Sequence, residues 1–589
     1  MSSQPLLGNS VISRPPTPRQ RTFSVAVVAV LAVLVVVLVV VRGSGSGSGS
    51  DHNGKPLPSC AQLPALVPSG DASVLERFSK NRSYILAAAE RLAGAVRIST
   101  ESYDTTRGVP PPLEGDDPFP QHKGFEQLHE YLHRSFPRVS ESLERKVINR
   151  YALLYTWKGS DASLPPLVLM AHMDTVPVLP DTLDQWIHPP FSGFVDLEND
   201  AIWGRGSVDT KPTLVGSLEA IEVLLESGFV PRKTVYLAFG YDEEISGIEG
   251  ARKVAEYMEQ ELNLVGKVGM VLDEGLDSLT NVDGFDMAVV STAEKGYLDY
   301  HMTVETPGGH SSIPPLHTGI GLMSQLVNAL EANPFPIKLT ETNPYLGSIV
   351  CSSEHSKNKD AFIDDALFHF DTKSQALADY LAARSLKDRY RMASSQAIDI
   401  INGGLKVNAL PELVTVDLNN RISIDSSVDE FQHTILNNLK PVAVKYNLNF
   451  TFYDFLHNDK VLGSYKNPSA IGNVKVFGKS TDSPLEPSPI SPIHSPEWNV
   501  IEGTIHHVYE RPEAYGAEKG KVMKYIVSPG LMAGNTDTRY FWNMSKNIFR
   551  FAPAPGGQGY HTVNERASIK GYMTALTFFV ELIRNYDEL

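Results

Sequence analysis

The stretch Pro166-Leu-Val-Leu-Met-Ala-His-Met-Asp174 opens as an unbroken apolar run and closes on His172 and Asp174, residues of metal-ligand type. A short run without alternation reads as a strand buried on both faces, as a parallel sheet requires. Two later segments repeat the pattern. Thr234-Val-Tyr-Leu-Ala-Phe239 runs toward Asp242-Glu243-Glu244, and Val268-Gly-Met-Val-Leu272 runs into Asp273-Glu274-Gly275. Between the first two lies Gly204-Arg-Gly-Ser-Val-Asp209-Thr-Lys211, a glycine-rich turn ahead of a helical pattern at 213–227 that ends in Gly228. Strands alternating with helices over residues 72–296 predict an α/β fold with a largely parallel sheet. Ligands of such sheets bind beyond the carboxyl ends of the strands. Acids converging there repel one another and resist ionisation unless cations neutralise them. Singly, each element has an ordinary reading: a chance His-x-Asp, a solvated acidic turn, a helix N-cap. The glycine-rich turn lacks the spacing of a P-loop, and its acid opposes phosphate. Together, at strand ends in one half-domain, the four favour a metal centre.

The pattern changes near residue 297. Leu298-Asp-Tyr-His-Met-Thr-Val-Glu305 alternates apolar and polar residues, the mark of a sheet with one wet face. Helical patterns at 319–330 and 428–446 and strand patterns at 413–424 and 448–455 complete a small α+β domain inserted in the first. A polar, partly helical stretch at 340–395 interrupts it. A Pro/Ser-rich return linker spans 480–497, and the segment 521–589 should rejoin the first domain. The expected divisions are a cytosolic tail at 1–22, an anchor at 23–41, a linker at 42–69, catalytic parts at 70–296 and 481–589, and a lid at 297–480.

Of 589 residues, 42% are hydrophobic and 20% charged, the composition of a chain that buries a core. The net charge of −16 argues against nucleic acid as a partner. Two cysteines exclude a disulfide scaffold and a cysteine-rich zinc module, so any metal falls to histidine and carboxylate. The run FSVAVVAVLAVLVVVLVVV at 23–41 is uncharged and, at 1.5 Å per residue, about 28 Å long, enough for a thin bilayer. A cleaved signal peptide has a shorter apolar core and a small-residue cleavage site. Here Arg42 and GSGSGSGS follow, so the expectation is an uncleaved anchor. Arg14, Arg19 and Arg21 keep the short end in the cytosol and place the rest in a lumen or outside the cell. Beyond residue 50 the chain holds 48 basic against 68 acidic residues, because the first 50 hold four arginines and no acid. Sequons at Asn81, Asn449 and Asn543 agree with that topology but are no more than chance supplies. Cys60 and Cys351 could pair in an oxidising lumen; sequence does not place them together.

The motifs HMD, GRGSVDTK, DEEISG, LDEG, TPGGHSS, GNTDTR and GYHTVNE resemble those of the zinc-dependent exopeptidase and aminoacylase family that includes glutamate carboxypeptidase. Within that family the resemblance is nearest to the Gly-X carboxypeptidases of the fungal vacuole, and it extends over residues 70–589. It implies a zinc-exopeptidase-like domain with a mixed, mostly parallel sheet and helices on both faces, plus a ferredoxin-like lid. It implies two zinc ions bridged by Asp209, one also held by His172 and Asp273, the other by Glu244 and His561. Glu243 would be the general base and Asp174 would orient His172. His310 on the lid would lie over the active site and stabilise the oxyanion; in dimeric relatives it comes from the partner. Arg539 would grip the substrate's terminal carboxylate, with Asn408 and Arg421 as further candidates. The Asp209–Thr210 peptide is typically cis in the family. Tyr241 departs from the pattern, standing where histidine is expected. The insert and the linker are longer than in compact relatives and leave the dimer surface open. The implied protein is a single-pass type II enzyme of the vacuole membrane, cutting the C-terminal bond of short peptides, with a homodimer through the lid as a possible assembly. Hydrolysis or synthesis of N-acyl amino acids is the alternative, and a non-catalytic scaffold a third reading, opposed by the intact ligand set.

Overall fold

Nine strands make the central sheet of the computed structural model, which describes residues 57–589 except 71–72, 276–277, 283, 458, 480–482 and 518–521. The expected tail, the expected anchor at 23–41 and the first part of the expected linker lie outside the described residues. Among the described residues no helix is long and apolar enough to cross a membrane.

The strand Leu167–His172 pairs in parallel with Val235–Gly240 on one side and Met270–Asp273 on the other. All three are buried along their whole length, which explains their unbroken apolar runs. Antiparallel strands Ala152–Trp157 and Glu144–Ile148 extend the sheet beyond Val235–Gly240. On the other flank the late strand Ile548–Arg550 is inserted between Met270–Asp273 and Phe285–Glu294, and Tyr525–Met532 closes the series. Helices Arg82–Val96, Lys211–Glu226, Pro496–Tyr509 and Ile569–Glu588 share one core with these strands, through residues such as Leu92, Ile221, Ile501 and Leu576, all fully buried. Each such side chain contributes about 1.5–3 kcal/mol by leaving water. The Lys211–Glu226 helix stops where the sequence says it should: Gly228 takes φ 78°, and the N–H of Phe229 returns to the Leu224 carbonyl at 3.0 Å.

The lid is a six-stranded sheet ordered Ser395–Gly403, Leu413–Ile422, Gly296–Glu305, Gly472–Gly478, Leu448–Tyr453, Val461–Tyr465. Its alternating strands turn Leu298, Tyr300, Met302 and Val304 into a core completed by helices Gly319–Glu331 and Val428–Lys445. Two chain crossings join it to the central sheet side by side: Tyr297 and Leu485 exchange both backbone bonds, at 2.9 and 2.7 Å.

Two expectations change. The insert within 340–395 is not part of the lid core. Its four helices, Pro344–His355, Ala361–Phe368, Phe370–Arg384 and Leu386–Met392, form a cluster with Met287, Ala293 and Leu531 on the margin of the central sheet. Gly347 permits this approach, since a Cβ there would stand 2.4 Å from Pro529 Cγ. The linker is docked from Leu57 onward rather than free. Gln62 gives its side-chain amide to the edge strand, accepting from Val527 N–H at 2.7 Å and donating to Val527 C=O at 3.0 Å. Cys60 forms a disulfide with Cys351 on the insert. Helices and strap together cover an edge that would otherwise be open to pairing.

Candidate metal centre

Three neighbouring strands deliver their ends to one place. His172 is the last residue of its strand and stands in register with Gly240, from which Tyr241-Asp242-Glu243-Glu244 departs; Asp273 ends the strand on the other side. His172 is buried. Its Nδ1 lies 3.0 Å from the Asp174 carbonyl and 3.3 Å from the Asp174 carboxylate, which aims Nε2 into the cluster, 3.2 Å from Asp209 Oδ1 and 3.5 Å from Glu274 Oε1. Asp209, on a cis Asp209–Thr210 peptide, presents its second oxygen to His561 Nε2 at 2.9 Å, and Glu244 Oε1 lies 3.4 Å from the same nitrogen. Asp209 thus stands between the two imidazoles.

Asp174 does more than face His172. Its two oxygens accept the backbone N–H groups of Glu243 and Glu244, each at 3.1 Å, and the Ser102 hydroxyl donates to it at 2.7 Å. The carboxylate that steers the histidine therefore also fixes the turn carrying Glu243. Ser102 was not visible from the sequence, since it is 72 residues from its partner and belongs to no motif.

Glu274, beside the expected Asp273, also reaches the cluster. Asp273 Oδ1 accepts the N–H of Glu274 at 2.9 Å, its buried Oδ2 has no hydrogen-bond partner, and it lies in the field of Glu294, His172 and Arg550. The longer Glu274 reaches back to His172, and its oxygen joins His172 and Glu243 in a group whose atoms all lie within 4.8 Å of one another; His172, Asp209 and Glu244 form a second such group. An Asp-Glu pair at a strand end offers two acids, and spacing alone does not choose between them.

Burial pushes Glu274 up to about 8 and Asp273 up to about 6, and holds Glu243 well above the usual carboxylate range. Asp209 goes the other way: burial opposes its charge, but bonds from His172 and His561 outweigh it and hold the acid well below its ordinary value. Bonds to Asp209 and Glu244 raise His561 to about 10. A buried Asp273 Oδ2 with no hydrogen-bond partner, two imidazoles and several close carboxylates fit a pair of divalent cations, and the N/O donor set suits zinc.

The remaining predicted residues divide. Arg421 of the lid pairs with Tyr297 in register, lies 4.8 Å over that ring, and donates to Asn535 at 2.6 Å; Glu243 is among the charges acting on it. Arg539 stands in the short helical turn Asp537–Tyr540, its guanidinium 5.4 Å from the Tyr540 ring. His310 and Asn408 are on an exposed ribbon instead. Gly309–His310 pairs there with Ala409–Leu410, and His310 Nδ1 accepts the Ser312 N–H at 3.1 Å, with no bond to the cluster. Tyr241 is structural, packed edge-on against Phe125 and Tyr151. Asp537, buried with an unpartnered oxygen above Gly240 and Gly247, joins the site although only its motif signalled it.

The model of peptidase family M20/M25/M40 matches residues 168–585. Carboxypeptidase S of Saccharomyces cerevisiae is 37% identical over 550 residues, 91% of this chain and 91% of that protein. N-fatty-acyl-amino acid synthase/hydrolase PM20D1 of Bos taurus is 30% identical over 517 residues, 85% of this chain and 88% of that one. Human carnosine dipeptidase 1 shares the fold at TM-score 0.57 and 13% identity, covering 89% of this chain and 100% of its own. The M20 metallo-carboxypeptidase Sso-CP2 of Sulfolobus solfataricus does so at 0.55 and 16%, covering 85% and 99%. The chain belongs to peptidase family M20/M25/M40.

Proposed function

We propose that the chain is a zinc carboxypeptidase that releases the C-terminal residue of short, Gly-X-type peptides in the lumen of a vacuole. The observation that carries this reading is Asp209 set between His172 and His561, with Glu243 beside them. His172, Asp209 and one of the adjacent acids Asp273 and Glu274 would hold one zinc, and Asp209, Glu244 and His561 the other. Bound there, the ions supply a polarised scissile carbonyl and a water of lowered pKa. Glu243 takes the proton of the attacking water and gives it to the leaving amine. Asp174 keeps Glu243 and His172 in place. Arg539 and Arg421 fork the terminal carboxylate, which makes the enzyme an exopeptidase. His310, carried on the lid ribbon with Asn408, donates to the developing oxyanion when the lid closes, from its own chain or from a second copy. The edge strand Ser395–Gly403, with Ile400 and Ile401 exposed, supports a lid-to-lid homodimer.

The run at 23–41 anchors the chain, and the Cys60–Cys351 disulfide supports an oxidising lumen. The relationship to carboxypeptidase S supports a peptide substrate; that to the fatty-acyl-amino acid enzyme supports an N-acyl amino acid as the alternative, since the amide chemistry is the same. The full chain in mild detergent with added zinc, given a blocked Gly-Leu dipeptide and a long-chain N-acyl amino acid side by side, decides between them. Turnover of neither sinks both readings.

A further inference from the structure

The two imidazoles of the centre come from unlike places. His172 ends a central strand, whereas His561 sits on a surface turn, half exposed, at φ 53°, a left-handed backbone that only glycine adopts without strain. Asp209 also stands on a turn. The strands nearest these turns, Ala201–Trp203 and Arg566–Ser568, are antiparallel neighbours, so the two turns diverge from one small ladder. Glu565 stands at the point of divergence. Its carbonyl accepts the Gly204 N–H at 2.9 Å. Its side chain, fully buried, spans the gap: Oε1 accepts Val208 N–H at 2.8 Å and Asp209 N–H at 3.3 Å, and Oε2 meets Arg205 Nη1 at 2.5 Å. Arg205 is buried too, its guanidinium 5.6 Å from the Trp186 ring. An ion pair that served packing alone would need Arg205 and nothing more. The bonds to the backbone of Asp209 itself, made by a residue four places after His561, are what a bracket between the two turns requires.

We propose that Glu565 is a positioning residue of the metal centre: it fixes the Asp209 turn against the His561 turn and so sets the span across which Asp209 and His561 share one cation. The proposal rests on the zinc reading above. The full chain in mild detergent is titrated with zinc against a chromogenic chelator, as wild type, Glu565→Gln, Glu565→Ala and His561→Ala, with urea unfolding alongside. Wild type should take two zincs. Glu565→Ala should weaken one of them by about 10–100-fold, the same one that His561→Ala loses, and leave the other within about threefold. Glu565→Gln keeps an oxygen for the turn's N–H groups and should recover most of that loss. Two unchanged affinities in Glu565→Ala, or equal weakening of both that follows a lowered unfolding midpoint, overturn the proposal. If Glu565→Ala does not fold, Glu565→Asp, whose side chain is one methylene too short to span to the Val208 and Asp209 N–H groups, decides: selective weakening of the zinc that His561→Ala loses upholds the proposal, and two unchanged affinities overturn it. A wild-type chain holding less than one zinc overturns the zinc reading, and this proposal falls with it.

Discussion

Replacing Asp174 by asparagine alters one atom's chemistry and almost nothing in shape. The carboxylate accepts three bonds, from the N–H groups of Glu243 and Glu244 on separate oxygens and from the Ser102 hydroxyl. An asparagine amide keeps one acceptor and turns the other into a donor facing a backbone N–H. The hydroxyl of Ser102 turns and adapts; the backbone does not. One buried N–H is left without a partner, at a cost of about 1–3 kcal/mol. The surviving bonds lose the charge that strengthens them, adding about 1 kcal/mol. The sum, about 2–4 kcal/mol, falls on the turn that holds Glu243 and Glu244 and on the orientation of His172. At about 1.4 kcal/mol per decade it corresponds to a loss of roughly 30- to 1000-fold in kcat/KM on a blocked dipeptide at saturating zinc. Ser102→Ala removes one neutral donor and should cost less than about tenfold. The assay is initial-rate hydrolysis, with zinc affinity measured in parallel. Asp174→Asn within about threefold of wild type in both would refute the assignment of the turn to Asp174.

Further outcomes follow from the same geometry. Glu243→Gln should bind zinc as wild type does and lose about 10²–10⁴ in kcat, as expected for a general base; retained turnover removes it from that role. Of Asp273→Asn and Glu274→Ala, the variant that removes the ligand should weaken zinc binding at least about tenfold and the other should leave it within about threefold; two unchanged affinities remove both acids from the centre. Lys295, buried with its amine donating to the Tyr390 and Ala393 carbonyls, is pushed down to about 7 by burial. Its folded value lies below its unfolded value near 10.5, so the unfolded chain binds the extra proton between them and this residue's contribution to stability rises from pH 7 to 10. Urea midpoints of wild type relative to Lys295→Met should diverge upward across that window; a downward divergence contradicts the burial effect.

The fold was legible where burial is complete. A strand buried on both faces has no choice but an apolar run, so Leu167–His172, Val235–Gly240 and Met270–Asp273 could be read directly, and the polar residues that end them stood out. The lid strands within 298–305, 413–424 and 448–455 were legible because one face of that sheet is buried and the other wet, whereas Ser395–Gly403, Val461–Tyr465 and Gly472–Gly478 were missed. What was hidden lies in long-range bonds. Ser102 and Glu565 reach the site from 72 and 356 residues away in sequence, and such pairings leave no local period. Asp273 and Glu274 are adjacent acids at one strand end, and no sequence period separates their roles. The docked strap around Gln62 and Cys60 has the composition of a loop, and its order comes from partners on the insert and the edge strand. His310 was read as part of the site through resemblance, while its bonds here are to Ser312.

One consequence concerns how the molecule is made. The strand Ile548–Arg550 sits inside the central sheet, between strands completed more than 250 residues earlier. During synthesis the sheet therefore stands with a vacant slot until that segment leaves the ribosome, and the partial chain exposes two unpaired edges for as long as translation of the lid and insert takes. His561 emerges later still. A nascent chain ending before Ile548 lacks both the strand that fills the sheet and one imidazole of the centre.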